Sequence, residues 1–173
     1  RPDREIEIAA NLTHPNIVPI FDSGERSGIP FFVMPFEEGG SLRQRLDREA
    51  QLPVGDAVRL AQDILQALRS AHSHGVVHLD VKPENVLLSP DRGVLADFGI
   101  ARVSAETGPG QTSAPGTITG SPAYMSPEQI EGNRQQDPRS DLYAVGCVMY
   151  EMLSGEPPFR APTVQAVLAK HLS

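Results

Sequence analysis

A chain of 173 residues, 39% hydrophobic and 21% charged, holds enough apolar mass for one domain with a real core. Its net charge of -7 argues against a protein that grips nucleic acid through phosphate contacts. A single cysteine, Cys147, excludes an internal disulfide, and no stretch nears the roughly 20 apolar residues of a membrane span.

No signal peptide opens the chain, and Arg1-Pro2-Asp3-Arg4 reads as mid-helix, so a piece of a longer protein is expected. Ile6, Ala9, Ala10 and Leu12 form a short helical face over Glu5 to Leu12, and Pro15 ends it. Ile17 to Phe21 and Phe31 to Met34 read as two strands of a hairpin, with the Ser/Gly/Glu/Arg stretch between them as its loop. Pro35 to Gly40 is a turn. Ser41-Leu42-Arg43-Gln44 has the form of a capping box that starts a short helix.

Pro53 opens a longer helix. Ala57, Leu60, Ala61, Ile64, Leu65, Leu68 and Ala71 recur at spacings of three and four, an apolar stripe, and Gly75 stands at the C′ position. His72, His74 and His78 cluster there, but no Cys or carboxylate joins them at ligand spacing, and no metal site is expected from them.

The stretch His78-Leu79-Asp80-Val81-Lys82-Pro83-Glu84-Asn85 sets an acid, a cation and an amide in order. Strand-like Val86-Leu87-Leu88 and Val94-Leu95-Ala96 follow, and then a second acid in Asp97-Phe98-Gly99. Phosphoryl transfer needs such a set. One carboxylate orients a hydroxyl and accepts its proton, a carboxylate and an amide oxygen hold a divalent metal, and a lysine neutralises the group in flight. Residues 100 to 120 are rich in Gly, Ser, Thr, Pro and Ala and read as a mobile loop. Gly120 to Glu128 forms a second distinctive block. Leu142, Val145, Val148, Met149, Met152 and Leu153 mark a helix over Asp141 to Ser154, capped by Ser140 or Asp141 and ended by Gly155. Cys147 lies in this apolar run, where packing is expected rather than redox chemistry. A last helix is expected from about Thr163 to Leu172.

With H-x-D-x-x-x-x-N met by His78, Asp80 and Asn85, and D-F-G by Asp97, Phe98 and Gly99, the chain resembles the protein kinases. The Ser126-Pro127-Glu128 stretch resembles their A-P-E signature in the form common among bacterial Ser/Thr kinases. The resemblance implies an α+β, two-lobed fold. Residues 1–34 would be the end of the small lobe, 35–40 the hinge and 41–173 an incomplete large lobe. It implies a serine/threonine protein kinase using ATP and Mg²⁺, with a protein bearing a Ser or Thr acceptor as partner. The implied location is cytoplasmic, with any membrane anchor of the parent outside this stretch.

By the same resemblance Asp80 would be the catalytic base, Lys82 would contact the γ-phosphate, and Asn85 and Asp97 would hold Mg²⁺. Glu5 would be the helix C glutamate, with Glu7 as the alternative register. Met34 would be the gatekeeper, and Pro35 and Glu37 would offer backbone groups to adenine. Ser121 would bond near Asp80 and Lys82, and Asp141 would hold the catalytic loop's backbone. Thr112, Ser113, Thr117 and Thr119 are candidate phosphosites.

Three departures stand out. Leu79 replaces the arginine that receives the activation-loop phosphate, so loop phosphorylation is expected to be less decisive for activity. No Gly-rich loop or strand lysine is present, so this stretch alone is expected to bind ATP weakly. Glu128 is expected to lack its arginine partner. Two rivals are a pseudokinase acting as a scaffold, which intact Asp80, Lys82, Asn85 and Asp97 disfavour, and a small-molecule kinase, which D-F-G and the P-E segment disfavour.

Overall fold

The computed structural model describes residues 12–27, 29–98, 121–132 and 137–173. Glu5, Glu7, Gly99 and the four candidate phosphosites lie outside these residues. Four strands and five helices are named here in chain order: β1 (Asp22–Arg26), β2 (Ile29–Val33), α1 (Leu42–Glu49), α2 (Val54–Ser73), β3 (Val86–Leu88), β4 (Gly93–Leu95), α3 (Pro127–Ile130), α4 (Pro138–Ser154) and α5 (Val164–His171). Short 3-10 turns at Pro83–Asn85 and Pro122–Tyr124 precede β3 and α3.

The centre of the molecule is α2 packed against α4. Ala57, Leu60, Ala61, Ile64, Ala67, Leu68 and Ala71 line the buried side of α2, and Ala144, Val145, Val148 and Met152 line that of α4. Burying one such Leu or Ile contributes about 1.5–3 kcal/mol, so this seam dominates the core. Leu65, expected in the stripe, is exposed, as are Leu142 and Leu153 of α4. Their periodicity is helical, but they fall at the edge of the buried arc, where neighbouring elements do not reach.

The first hairpin departs from expectation. Ile17 to Phe21 is not its first strand. The residues read as a loop, Asp22–Arg26, form β1, and they pair antiparallel with β2 from Asp22↔Val33 to Arg26↔Ile29. Met34 lies just beyond β2. Packing explains a strand with so little β propensity: Gly24 lies under the Phe31 ring, and an added Cβ there would stand 2.6 Å from Phe31 Cζ. Ile17 instead bridges β4 at Leu95, and both Ile17 and Val18 are buried.

β3 and β4, both read as strand-like, pair antiparallel from Val86↔Leu95 to Leu88↔Gly93. Ser41 bridges Leu87 on the other edge. This brings the Pro35–Gly40 turn close against β3. A Cβ at Gly39 would meet the Leu88 carbonyl oxygen at 2.2 Å, so only glycine fits that approach.

Helix termini follow local chemistry. Ser41 and Gln44 close a capping box on α1. The cap of α4 is Asp137, not Ser140 or Asp141, because Pro138 at N1 starts the helix three residues earlier than expected. That shift frees Ser140 and Asp141 for tertiary bonds. Gly155 ends α4 in the left-handed region at φ 88°. Among the described residues no helix is long and apolar enough to cross a membrane.

Candidate active site

Three residues expected to do chemistry meet between α1, the 3-10 turn and β3. Lys82 Nζ lies 2.6 Å from Asp80 Oδ2. Asn85 Nδ2 donates to the Asp80 carbonyl at 2.9 Å and to Asp80 Oδ2 at 3.3 Å. Asn85 is buried, whereas Asp80 and Lys82 are half-buried, which leaves the acid approachable. Asn85 spends its amide nitrogen on Asp80, so its Oδ1 has no partner among the described residues.

Asp97 is exposed, at the end of the segment leaving β4, with φ 63°. The residue before it is clamped: the Ala96 N–H donates to the Asn85 carbonyl at 2.8 Å, and the Ala96 carbonyl bonds His78 Nε2 at 2.8 Å. Because His78 Nδ1 accepts the Asp80 N–H at 3.2 Å, Nε2 carries the proton and donates to Ala96. Phe98 is buried with its ring edge-on to His78, centroids 4.7 Å apart. The segments bearing Asp80, Asn85 and Asp97 are thus tied together through His78 and Ala96.

Leu79 also has positive φ, 64°. A leucine there is disfavoured and persists only where neighbours hold it. Asp141 does so, accepting the Leu79 N–H at Oδ1 (2.7 Å) and the His78 N–H at Oδ2 (2.9 Å). Its Oδ2 also lies 2.7 Å from His72 Nε2, which is how an acid only 1% exposed is satisfied. This is the role the resemblance implied for Asp141.

Of the hinge candidates, Met34 packs with Val18, Leu87, Val94 and Ala96, one residue from Asp97. Among the described residues neither the Pro35 carbonyl nor the Glu37 N–H is engaged. The Glu37 carboxylate accepts Ser89 Oγ at 2.9 Å, and its carbonyl accepts the Gly40 N–H at 3.2 Å. Ser121 is not among the hydrogen-bond partners of Asp80 or Lys82 within the described residues.

Glu128 is not left without a partner. Ser140 Oγ donates to it at 2.5 Å. Burial pushes its carboxyl up, but the bonds from Ser140, its own N–H and Ser126 together hold it below the usual carboxylate range.

Sequence reading missed a second network. Glu151 is buried on α4. It takes both terminal guanidinium nitrogens of Arg43 on Oε1, each at 2.8 Å, and the Tyr124 hydroxyl on Oε2 at 2.5 Å. Burial, and then the bond to Glu151, push the Tyr124 phenol far up. Burial works against the charge on Arg43, but Glu151 outweighs it and raises the guanidinium further. No local pattern announces contacts this distant in sequence. Ser126, read only as part of the A-P-E-like stretch, also caps α3, and Gln129 returns the bond in a full capping box, a Ser-x-x-Gln signal the sequence reading passed over.

Fit to a divalent cation can be judged from the donors. Asn85 and Asp97 offer an amide oxygen without a hydrogen-bond partner among the described residues and an exposed carboxylate, hard oxygen donors too few to enclose an ion. Mg²⁺ suits such a set, since it usually takes its other ligands from water and phosphates.

The sequence has relatives among known proteins. The family model described as Protein kinase domain matches residues 2–173. Serine/threonine-protein kinase pkn3 of Myxococcus xanthus is 41% identical over 181 residues, covering 100% of this chain and 33% of that protein. PknB of Mycolicibacterium smegmatis is 41% identical, covering 98% of this chain and 28% of its own length. PknD of Mycobacterium tuberculosis is 44% identical, with 99% and 26% covered. The chain therefore spans a third or less of the length of these curated relatives. Its few strands and mainly helical remainder are part of the two-lobed architecture that the motifs implied. With the family model spanning nearly every residue, the chain belongs to the protein kinase domain family.

Proposed function

We propose that the protein is a serine/threonine protein kinase, transferring the γ-phosphate of ATP to Ser or Thr hydroxyls of a protein substrate. The observation that carries this reading is the Asp80 carboxylate, held by Lys82 at 2.6 Å and Asn85 at 3.3 Å yet only half-buried. Asp80 orients the acceptor hydroxyl and takes its proton as the bond to phosphorus forms. Lys82 leans from Asp80 toward the transferred group and offsets its charge.

Asn85 and Asp97 would hold Mg²⁺. The bound ion supplies Lewis-acid neutralisation of phosphate charge. The Pro35 carbonyl and the Glu37 N–H receive the adenine edge, with Met34 walling the pocket. Lysine at position 82 and relatives named as serine/threonine kinases support an aliphatic hydroxyl as acceptor. The kinase segment acts in the cytoplasm.

The test is phosphate transfer from labelled ATP with Mg²⁺ to a generic protein substrate by the full-length protein, beside an Asp80→Asn variant. Transfer to Ser or Thr that vanishes in the variant is expected. ATP binding without any transfer by the unaltered protein would overturn the reading.

A further inference from the structure

The peptide joining Leu79 to Asp80 is held on both sides. Its N–H, that of Asp80, donates to His78 Nδ1 at 3.2 Å. Its carbonyl, that of Leu79, accepts from Gln129 Nε2 at 2.9 Å. Leu79 sits at φ 64°, a conformation that leucine leaves readily unless held. Rotating this peptide, which follows the strained Leu79, would swing the Asp80 side chain away from its place beside Lys82 and Asn85.

His78 restrains this peptide from within the catalytic segment, and Asp141 of α4 holds the preceding one through the Leu79 N–H. Gln129 comes from elsewhere, the first turn of α3, just after the Gly120–Glu128 block. Both ends of its amide are employed. Oε1 accepts the Ser126 N–H at 3.0 Å and Ser126 Oγ at 3.1 Å, closing the cap of α3. Nε2 is left to reach Leu79. One neutral side chain therefore joins the start of α3 to the residue before the catalytic acid. Only an amide serves both ends: a carboxylate lacks the donor, and an ammonium lacks the acceptor.

We propose that Gln129 is a positioning residue for phosphoryl transfer, its amide N–H fixing the Leu79–Asp80 peptide and through it the Asp80 carboxylate. Correct seating of the segment leading into α3 is thereby coupled to the geometry of the acid. The proposal rests on the kinase reading given above.

Its test compares full-length wild type, Gln129→Glu and Gln129→Lys for kcat, KM for ATP and thermal midpoint, with a Ser-containing peptide as acceptor. Gln129→Glu keeps the capping acceptor and loses the donor to Leu79. Its kcat is expected to fall about tenfold or more, with KM for ATP within about twofold and an unchanged midpoint. Gln129→Lys keeps a donor and loses the cap, so its midpoint falls while kcat stays nearer wild type.

A Gln129→Glu protein with wild-type kcat, or kcat that tracks the midpoint across both variants, overturns the proposal. Should Gln129→Glu fail to fold, Gln129→Lys decides: retained kcat at a lowered midpoint supports it, and lost kcat overturns it. Absence of transfer by wild type overturns the kinase reading and this proposal with it. Active wild type with an unaffected Gln129→Glu overturns this proposal alone.

Discussion

Asp141 accepts the backbone N–H of Leu79 at 2.7 Å from a position 62 residues further along the chain. A carboxylate in the first turn of the central helix thus holds the residue that precedes the candidate catalytic acid. Asp141→Ala would leave the His78 and Leu79 N–H groups buried and unpaired. A loss of about 2–4 kcal/mol in urea unfolding is expected, with Asp141→Asn losing less because it keeps an acceptor. A loss under about 1 kcal/mol for the alanine variant would show that something else holds this loop.

Arg43, Glu151 and Tyr124 should behave as one unit. Removing Arg43 leaves a buried carboxylate with a single neutral donor, which costs more than removing both charged partners together. A double-mutant cycle of Arg43→Ala and Glu151→Gln is expected to give a coupling energy of about 1–3 kcal/mol. Additive losses would mean that the 2.8 Å bonds between them carry no energy.

The Ser140–Glu128 bond predicts a pH dependence. Glu128 has its folded pKa below the ordinary value of 4.5. Its contribution is therefore fully present above about pH 4.5, and it is lost as pH falls through the folded value. Ser140→Ala should be less stable than wild type at neutral pH, and the gap should narrow in acid. A gap constant from pH 7 to pH 3 would place the effect in the Ser126–Ser140 bond instead.

Burial pushes the Cys147 thiol up to about 11 against a weaker opposing bond from Tyr143. On the order of one thiol in a thousand is then ionised at pH 8. Alkylation by iodoacetamide should be slow in the native protein and fast in urea. Rapid native labelling would mean that the seam between α2 and α4 opens readily.

The candidate site was largely legible in sequence because its residues are close in the chain. Asp80, Lys82 and Asn85 fall within six positions, and a 3-10 turn with Pro83 at its start is enough to bring Asn85 back onto Asp80. The capping box at Ser41 was equally local, written in four residues. The apolar stripe of α2 also carried its own period, apart from Leu65, whose exposure depends on what stands opposite.

Other features were decided only by tertiary structure. Asp22–Arg26 has no strand pattern and becomes β1 because β2 supplies its hydrogen bonds and Phe31 covers Gly24. Ser140 and Asp141 were read as caps because both are good N-cap residue types, but Pro138 and Asp137 start the helix earlier. Those two side chains then turn to Glu128 and the catalytic loop. The Arg43–Glu151 pair is separated by 108 residues, and Gln129 reaches Leu79 across 50. The sequence by itself determined the family and most helices, since these depend on short-range spacing and residue type. Which side chains hold the acid in place was left to packing, because hydrogen bonds between distant segments exist only once the helices have docked.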